Sequence, residues 1–210
     1  MSTSRPVALP PADRTVGQLV AESIRFYGDN FRRCLVVGIA PAALAVTTAH
    51  VSRTLGVVLA PTVYGALLSA SYVYACMLVL GGTWSTRAWL VGWAVFAPVP
   101  FLVVAFILPA LAWLAAFGLV VPVLVVEQVE PRRAIRRAWE LGRADFVHAL
   151  GTLATLAIVV FLTQTVLVFL LRGAAAAALD AALFLASGVI SPLLFVGSAL
   201  LYVDQAARVK

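Results

Sequence analysis

A chain of 210 residues in which 63% are apolar and 11% charged, with a mean hydropathy of +1.03, cannot hide its apolar surface inside one water-soluble core. Its formal charge of +6 points, in so apolar a chain, to an anionic membrane surface rather than to nucleic acid. Lys210 is the lone lysine among 15 basic residues, and the richness in Arg, Ala, Val and Leu resembles the coding bias of a GC-rich bacterium.

Residues 1–14 are polar and Pro-rich and are expected to form a disordered tail. The first strongly apolar run opens only at Cys34, so no cleavable signal peptide is expected. Between them, 15–33 reads as a helix lying flat on a membrane. Val16, Leu19, Val20, Ile24, Tyr27 and Phe31 share one face, and Gln18, Glu22, Arg25, Asp29 and Arg32 the other. Thr15 and Gln18 make the S/T-x-x-E/Q capping box that marks where this helix starts.

Charge-poor stretches follow at 34–52, 56–80, 88–126, 149–171 and 181–203. Runs of about 20 apolar residues cross a hydrocarbon layer about 30 Å thick. The 88–126 stretch would be about 58 Å long as one helix, so it is expected to fold back near Pro109 into spans over 87–107 and 109–127. Pro98 and Pro100 are expected to kink the first of these. The fold class is therefore all-α: a polytopic bundle of six transmembrane helices in a single domain over 15–210.

The alternative lays 84–97 on the surface and leaves five spans. Arginine placement decides between the two. With six spans, every Lys and Arg except Arg53 and Arg172 falls on the N-terminal side, which the positive-inside rule makes cytoplasmic; five spans would split them. Both termini are then cytoplasmic, in a bacterial inner membrane. Tyr74, Trp84, Trp89, Trp139 and Tyr202 fall near the cytoplasmic interface and Trp113 near the outer one.

Between the fourth and fifth spans lies EPRRAIRRAWELGRADF, expected as a second interfacial helix over 131–147. Pro131 suits a first helical position; Ala134, Ile135, Ala138, Trp139 and Phe146 form its apolar stripe. Arg132, Arg133, Arg136, Arg137 and Arg143 face away and are the candidate contacts for anionic lipid. Overlaying the two amphipathic segments puts Val20 on Ile135, Ile24 on Trp139, Phe26 on Leu141 and Phe31 on Phe146. With 84–96 as a weaker third copy, the chain reads as three units, each an amphipathic helix followed by a transmembrane hairpin. Chance likeness between amphipathic helices is the other reading.

Glu127 and Asp204 fall at the cytoplasmic ends of the fourth and sixth spans, where a carboxylate is costly unless paired. They are expected to form structural ion pairs with residues such as Arg136, Arg143 or Arg25. His50, Arg53, Arg172 and Asp180 gather near the outer ends, as a solvated edge or a small-anion site. His148 has no partner at metal-ligand spacing, and Cys34 and Cys76 read as packed thiols. No charge lies near any midplane, while Pro41, Pro61, Pro122 and Pro192 interrupt four spans. Gly65 with Ser69, and Gly151 with Thr155, are spaced for close helix contacts.

Three blocks, TVGQLVAESIRFYGDNFRR, VPVLVVEQVEPRRAIRRAWELGRADF and SPLLFVGSALLYVDQAARVK, together resemble a bacterial family of six-helix membrane proteins. It is the family described as the glycerophosphoryl diester phosphodiesterase membrane domain, with related membrane domains of unknown function. The matching positions are Tyr27, Asn30, Phe31, Glu127, Trp139, Tyr202 and Asp204. In that family the phosphodiesterase activity belongs to a separate soluble barrel, and no His-Arg-Gly motif occurs here. No enzyme, no cofactor and no metal is therefore expected. The expected role is membrane-organising, lipid-contacting or partner-binding, with a protein partner or a second copy left open and nucleic acid excluded. A small permease acting through Pro-kinked helices is the alternative.

Overall fold

The computed structural model describes residues 10–209. The expected tail lies outside the described residues up to position 9. Its last part is ordered: Pro11–Asp13 form a 3-10 turn, and Arg14 is held by an ion pair.

Among the described residues all regular structure is helical. The elements are α1 (Val16–Asp29), α2 (Phe31–His50), α3 (Arg53–Leu59), a π-helical turn (Ala60–Tyr64), α4 (Gly65–Leu80), α5 (Thr86–Phe96) and α6 (Val99–Ala105). They continue with α7 (Ile107–Phe117), α8 (Val120–Val126), α9 (Pro131–Ala144), α10 (Phe146–Leu170) and α11 (Ala176–Arg208). Six segments are long and apolar enough to cross a membrane: Phe31–His50, Arg53–Leu80, Thr86–Ala105, Ile107–Val126, Phe146–Leu170 and Ala176–Arg208. The protein is an all-α bundle of the six-span kind.

The prolines act unequally. Pro41 and Pro192 sit inside continuous helices. Pro61 lies in the π turn, and Pro98 caps the joint between α5 and α6. The third and fourth spans reverse at Phe106, whose backbone is extended, and not at Pro109. Pro109 instead occupies the first turn of α7, where a missing N–H costs nothing. Gly81 ends α4 at φ 75°, a left-handed cap open to glycine.

A proline inside a helix leaves the carbonyl four residues earlier without its donor. For Pro192 that carbonyl belongs to Gly188, and Gly38 of α2 lies directly against it. Any Cβ at Gly38 would be driven into the Gly188 oxygen, so the α2–α11 crossing requires hydrogen at that position. Gly65 and Ser69 do face a neighbouring helix, as their spacing suggests. Gly65 leaves room for the Trp93 ring, and the Ser69 hydroxyl donates to the Trp89 carbonyl at 2.7 Å. At the bundle centre Tyr72, Phe96 and Phe195 meet with ring centroids 5.9 to 6.4 Å apart, beside an apolar cavity of about 50 Å³.

The two amphipathic helices share more than an apolar stripe. Buried Leu19 and Ser23 of α1 overlay buried Ala134 and Ala138 of α9, and the single-residue joints Asn30 and Asp145 fall at the same position of the overlay. After each joint a half-exposed phenylalanine, Phe31 or Phe146, opens a transmembrane helix. The segment read as a weaker third copy forms the first half of a segment, Thr86–Ala105, that is long and apolar enough to cross a membrane. All three opening helices nevertheless obey one packing rule. α1 lies on α11, α5 on α4, and α9 on the α7–α8 span, so each packs on the last span of a different unit.

The Gly38 contact is directly testable. Gly38→Ala is expected to cost about 1–3 kcal/mol through overpacking. Gly188→Ala, whose added methyl meets Ala42 Cβ at 3.5 Å, is expected to be neutral or slightly stabilising. Thermal unfolding of the two purified variants in one detergent checks the pair, and equal effects would contradict the crossing.

Candidate membrane-surface site

The arginine-rich segment forms α9, with Glu130 as its N-cap and Pro131 in its first turn. Its apolar residues divide into two sets that the stripe had merged. Ala134, Ala138, Leu141 and Gly142 are buried against the bundle, and Gly142 packs on the Ala115 and Ala116 backbone. Ile135 and Trp139 stay 43% exposed and Phe146 38%, a flank available to lipid. Trp139 is steadied by stacking on Phe117, with centroids 5.6 Å apart. Small side chains face the bundle because close approach, rather than apolar area, lets helices associate in lipid.

The arginines take the remaining surface. Arg132, Arg133, Arg136 and Arg143 are exposed, and Arg137 is half-buried. Arg136 reaches Glu140 at 3.8 Å, and the Arg143 guanidinium lies 5.9 Å from the Trp139 ring centroid. The first-turn arginines do not serve the helix itself. Arg132 and Arg133 sit in the first turn, where the helix dipole disfavours cations, and Arg132/Arg136 and Arg133/Arg137 are like charges four residues apart.

Glu127 and Asp204 are both paired, though with partners other than those the sequence suggested. Arg137 approaches Glu127 at 3.6 Å, and the Tyr202 hydroxyl donates to the same carboxylate at 3.0 Å. Asp204, with a side chain 0% exposed, receives Arg14 at 3.3 Å. Arg25 turns instead to Glu22 at 3.2 Å. The position of Arg14, assigned from sequence to a disordered tail, hid the Asp204 pair.

Around Asp204 the N-terminal turn, α10 and α11 are joined. Asp145 caps α10 by accepting from the His148 N–H at 3.0 Å and forms a short ion pair with Arg208. Arg208 also donates to the Arg14 carbonyl at 3.0 Å, and Gln205 to the Asp145 carbonyl at 3.1 Å. His148 Nε2 lies 3.7 Å from Asp204 Oδ2, beyond hydrogen-bond reach. His148 Nε2, Thr152 Oγ1, Asp204 Oδ2 and Gln205 Oε1 are buried without a partner among the described residues, a condition that ordered water ordinarily relieves. Sequence reading missed Asp145, Gln205 and Arg208. Asp145 carried a signal, since an Asp just before an apolar run is a helix N-cap.

The other motif positions are also tethers. The Tyr27 hydroxyl donates to the Val189 carbonyl of α11 at 2.6 Å, and its ring meets Phe31 edge-on at 5.4 Å. Burial, with a smaller contribution from Cys34, raises the Tyr27 phenol above its ordinary pKa and keeps it a donor. Asn30 terminates α1, its side-chain amide donating to the Phe26 carbonyl at 3.1 Å.

At the opposite end the four polar residues do not converge. His50 meets Asp180 at 2.9 Å, while Arg53 and Arg172 line two separate pockets. Cys34 and Cys76 are buried free thiols. Among the described residues no three His, Cys, Asp or Glu gather as a metal site. Comparison of the chain with family models, curated proteins and solved structures found no match.

The two carboxylates should differ in cost. Asp204→Asn removes the charge of a fully buried carboxylate whose Arg14 partner is 15% exposed and is expected to destabilise by about 3 kcal/mol. Glu127→Gln, at a site 29% exposed that keeps its Tyr202 partner, is expected to cost about 1 kcal/mol. Denaturation of the purified variants in detergent checks the order; a larger loss for Glu127→Gln would contradict it.

Proposed function

We propose that this protein is a non-enzymatic multi-pass membrane domain that holds an arginine face against the anionic inner leaflet. The observation that carries this reading is α9: a helix docked by Ala134, Ala138, Leu141 and Gly142 that presents four exposed arginines on its outer side. Two of them, Arg132 and Arg133, sit unfavourably in the first turn beside like charges, which favours anions from outside the chain. Phospholipid headgroups supply them, at about 1 kcal/mol per arginine, while Ile135, Trp139 and Phe146 reach into the acyl boundary. On this reading both termini are cytoplasmic and the membrane is a bacterial inner membrane. The likeness to the glycerophosphodiester phosphodiesterase membrane domains belongs to the same proposal. A protein partner or second copy would use the same arginine surface.

Transport is the less supported reading. It calls for a continuous polar cavity reaching Tyr64 or Gln164, yet these residues line two pockets with no lining residue in common. The central cavity beside Tyr72 is almost wholly apolar.

The lipid reading is tested in nanodiscs. The wild-type protein is expected to unfold at higher temperature in anionic than in zwitterionic discs, with the difference shrinking as salt shortens the Debye length. The variant Arg132→Gln/Arg133→Gln/Arg136→Gln/Arg143→Gln should lose most of that difference while matching the wild type in zwitterionic lipid. A difference that persists unchanged in the variant would overturn the reading.

A further inference from the structure

A large pocket lies at the end of the bundle opposite α9. It has a volume of about 550 Å³, within the usual ligand range, and is bounded by α2, α3, the π turn and α6. Its polar groups lie in a definite order along the second span. Arg53 and Ser52 stand at the mouth. Arg53 is exposed and forms no ion pair among the described residues. Ser52 Oγ accepts the Leu55 N–H at 3.4 Å as a helix cap, which leaves its proton to donate.

Tyr64 follows about 16 Å further along the helix axis. Its hydroxyl is buried and has no hydrogen-bond partner among the described residues. The hydroxyl is enclosed, so it is the Tyr64 ring that faces the pocket. Thr48 also lines the pocket, its hydroxyl donating to the Leu44 carbonyl of its own helix at 2.7 Å. Other walls, among them Leu44, Val57, Leu68, Phe101 and Val104, are apolar. The π turn that carries Tyr64 is a local widening of the kind found at binding sites, and its Pro61 carbonyl accepts from Trp93 Nε1 at 2.7 Å.

We propose that this pocket is a discrete site for one anionic phospholipid. Its phosphate is held by Arg53 and Ser52, and an acyl chain lies along the apolar walls past the Tyr64 ring. Charge complementarity names the occupant. A cation and a hydroxyl donor at the rim with hydrocarbon beyond match, in order, the phosphate and the chain of such a lipid. The site lies away from α9, so it stands or falls independently of the arginine surface.

The test titrates phosphatidylglycerol and phosphatidylcholine into purified protein in uncharged detergent and reads the melting temperature. It uses the background in which the four exposed α9 arginines are glutamine, so that any remaining preference reports the pocket. Phosphatidylglycerol is expected to give a saturable upward shift. Arg53→Gln should weaken it about tenfold, to the level of phosphatidylcholine. Tyr64→Phe, which removes an enclosed hydroxyl and keeps the ring, should leave both the shift and the lipid-free melting point in place. At Gly56 an added Cβ meets nothing within 4 Å, so Gly56→Phe can fill the pocket without displacing backbone and should abolish the shift. A shift that survives both Gly56→Phe and Arg53→Gln overturns the site, and an equal shift with inorganic phosphate overturns its assignment to a lipid.

Discussion

In hydrocarbon there is no water to complete a broken helix, and every backbone group that a proline or a bend frees must find a partner inside the protein. This chain breaks its helices often. Contacts between helices fall close to the interruptions. The Trp93 indole donates to the Pro61 carbonyl in the π turn, the Trp113 indole donates at 2.8 Å to the Val95 carbonyl near the Pro98 joint, and the Gly188 carbonyl freed by Pro192 packs against Gly38. The breaks therefore lie at points of attachment between helices.

At the α9 end the same requirement extends from backbone to charge. Asp145, Asp204 and Glu127 are placed where helices end, and arginines reach them from the N-terminal turn, α9 and the end of α11. Arg14 and Arg208 are consumed in this closure, and Arg137 largely so. Arg132, Arg133, Arg136 and Arg143 are left exposed on the surface. The division separates arginines that hold the fold from those with charge to offer elsewhere.

Much of this was legible in the sequence because hydropathy and charge speak directly to a bilayer. The six spans follow from runs of apolar residues and the asymmetry of arginine, and the Thr15–Gln18 capping box forms as the motif implies. Partner choice was not legible. Any of several arginines satisfies Glu127 by type, and only the docking of α9 selects Arg137. The reversal at Phe106 escaped because Pro109 looks like a breaker in sequence and is harmless in a first helical turn. The grouping of Tyr64 with Arg53 depends on a π turn that has no sequence signature of its own beyond a proline.

The central claim is that α9 is a docked helix with three distinct faces. Spin labels on single cysteines along 131–146, read for accessibility to oxygen and to a water-soluble nickel reagent in liposomes, test it most directly; Cys34 and Cys76 are buried and interfere least. Labels at Arg132, Arg133, Arg136 and Arg143 should meet the water-soluble reagent, and labels at Ile135, Trp139 and Phe146 should meet oxygen. Labels at Ala134, Ala138 and Gly142 should meet neither. Uniform exposure to the water-soluble reagent along the helix, with Ala134 and Ala138 as accessible as Arg133, would contradict the account.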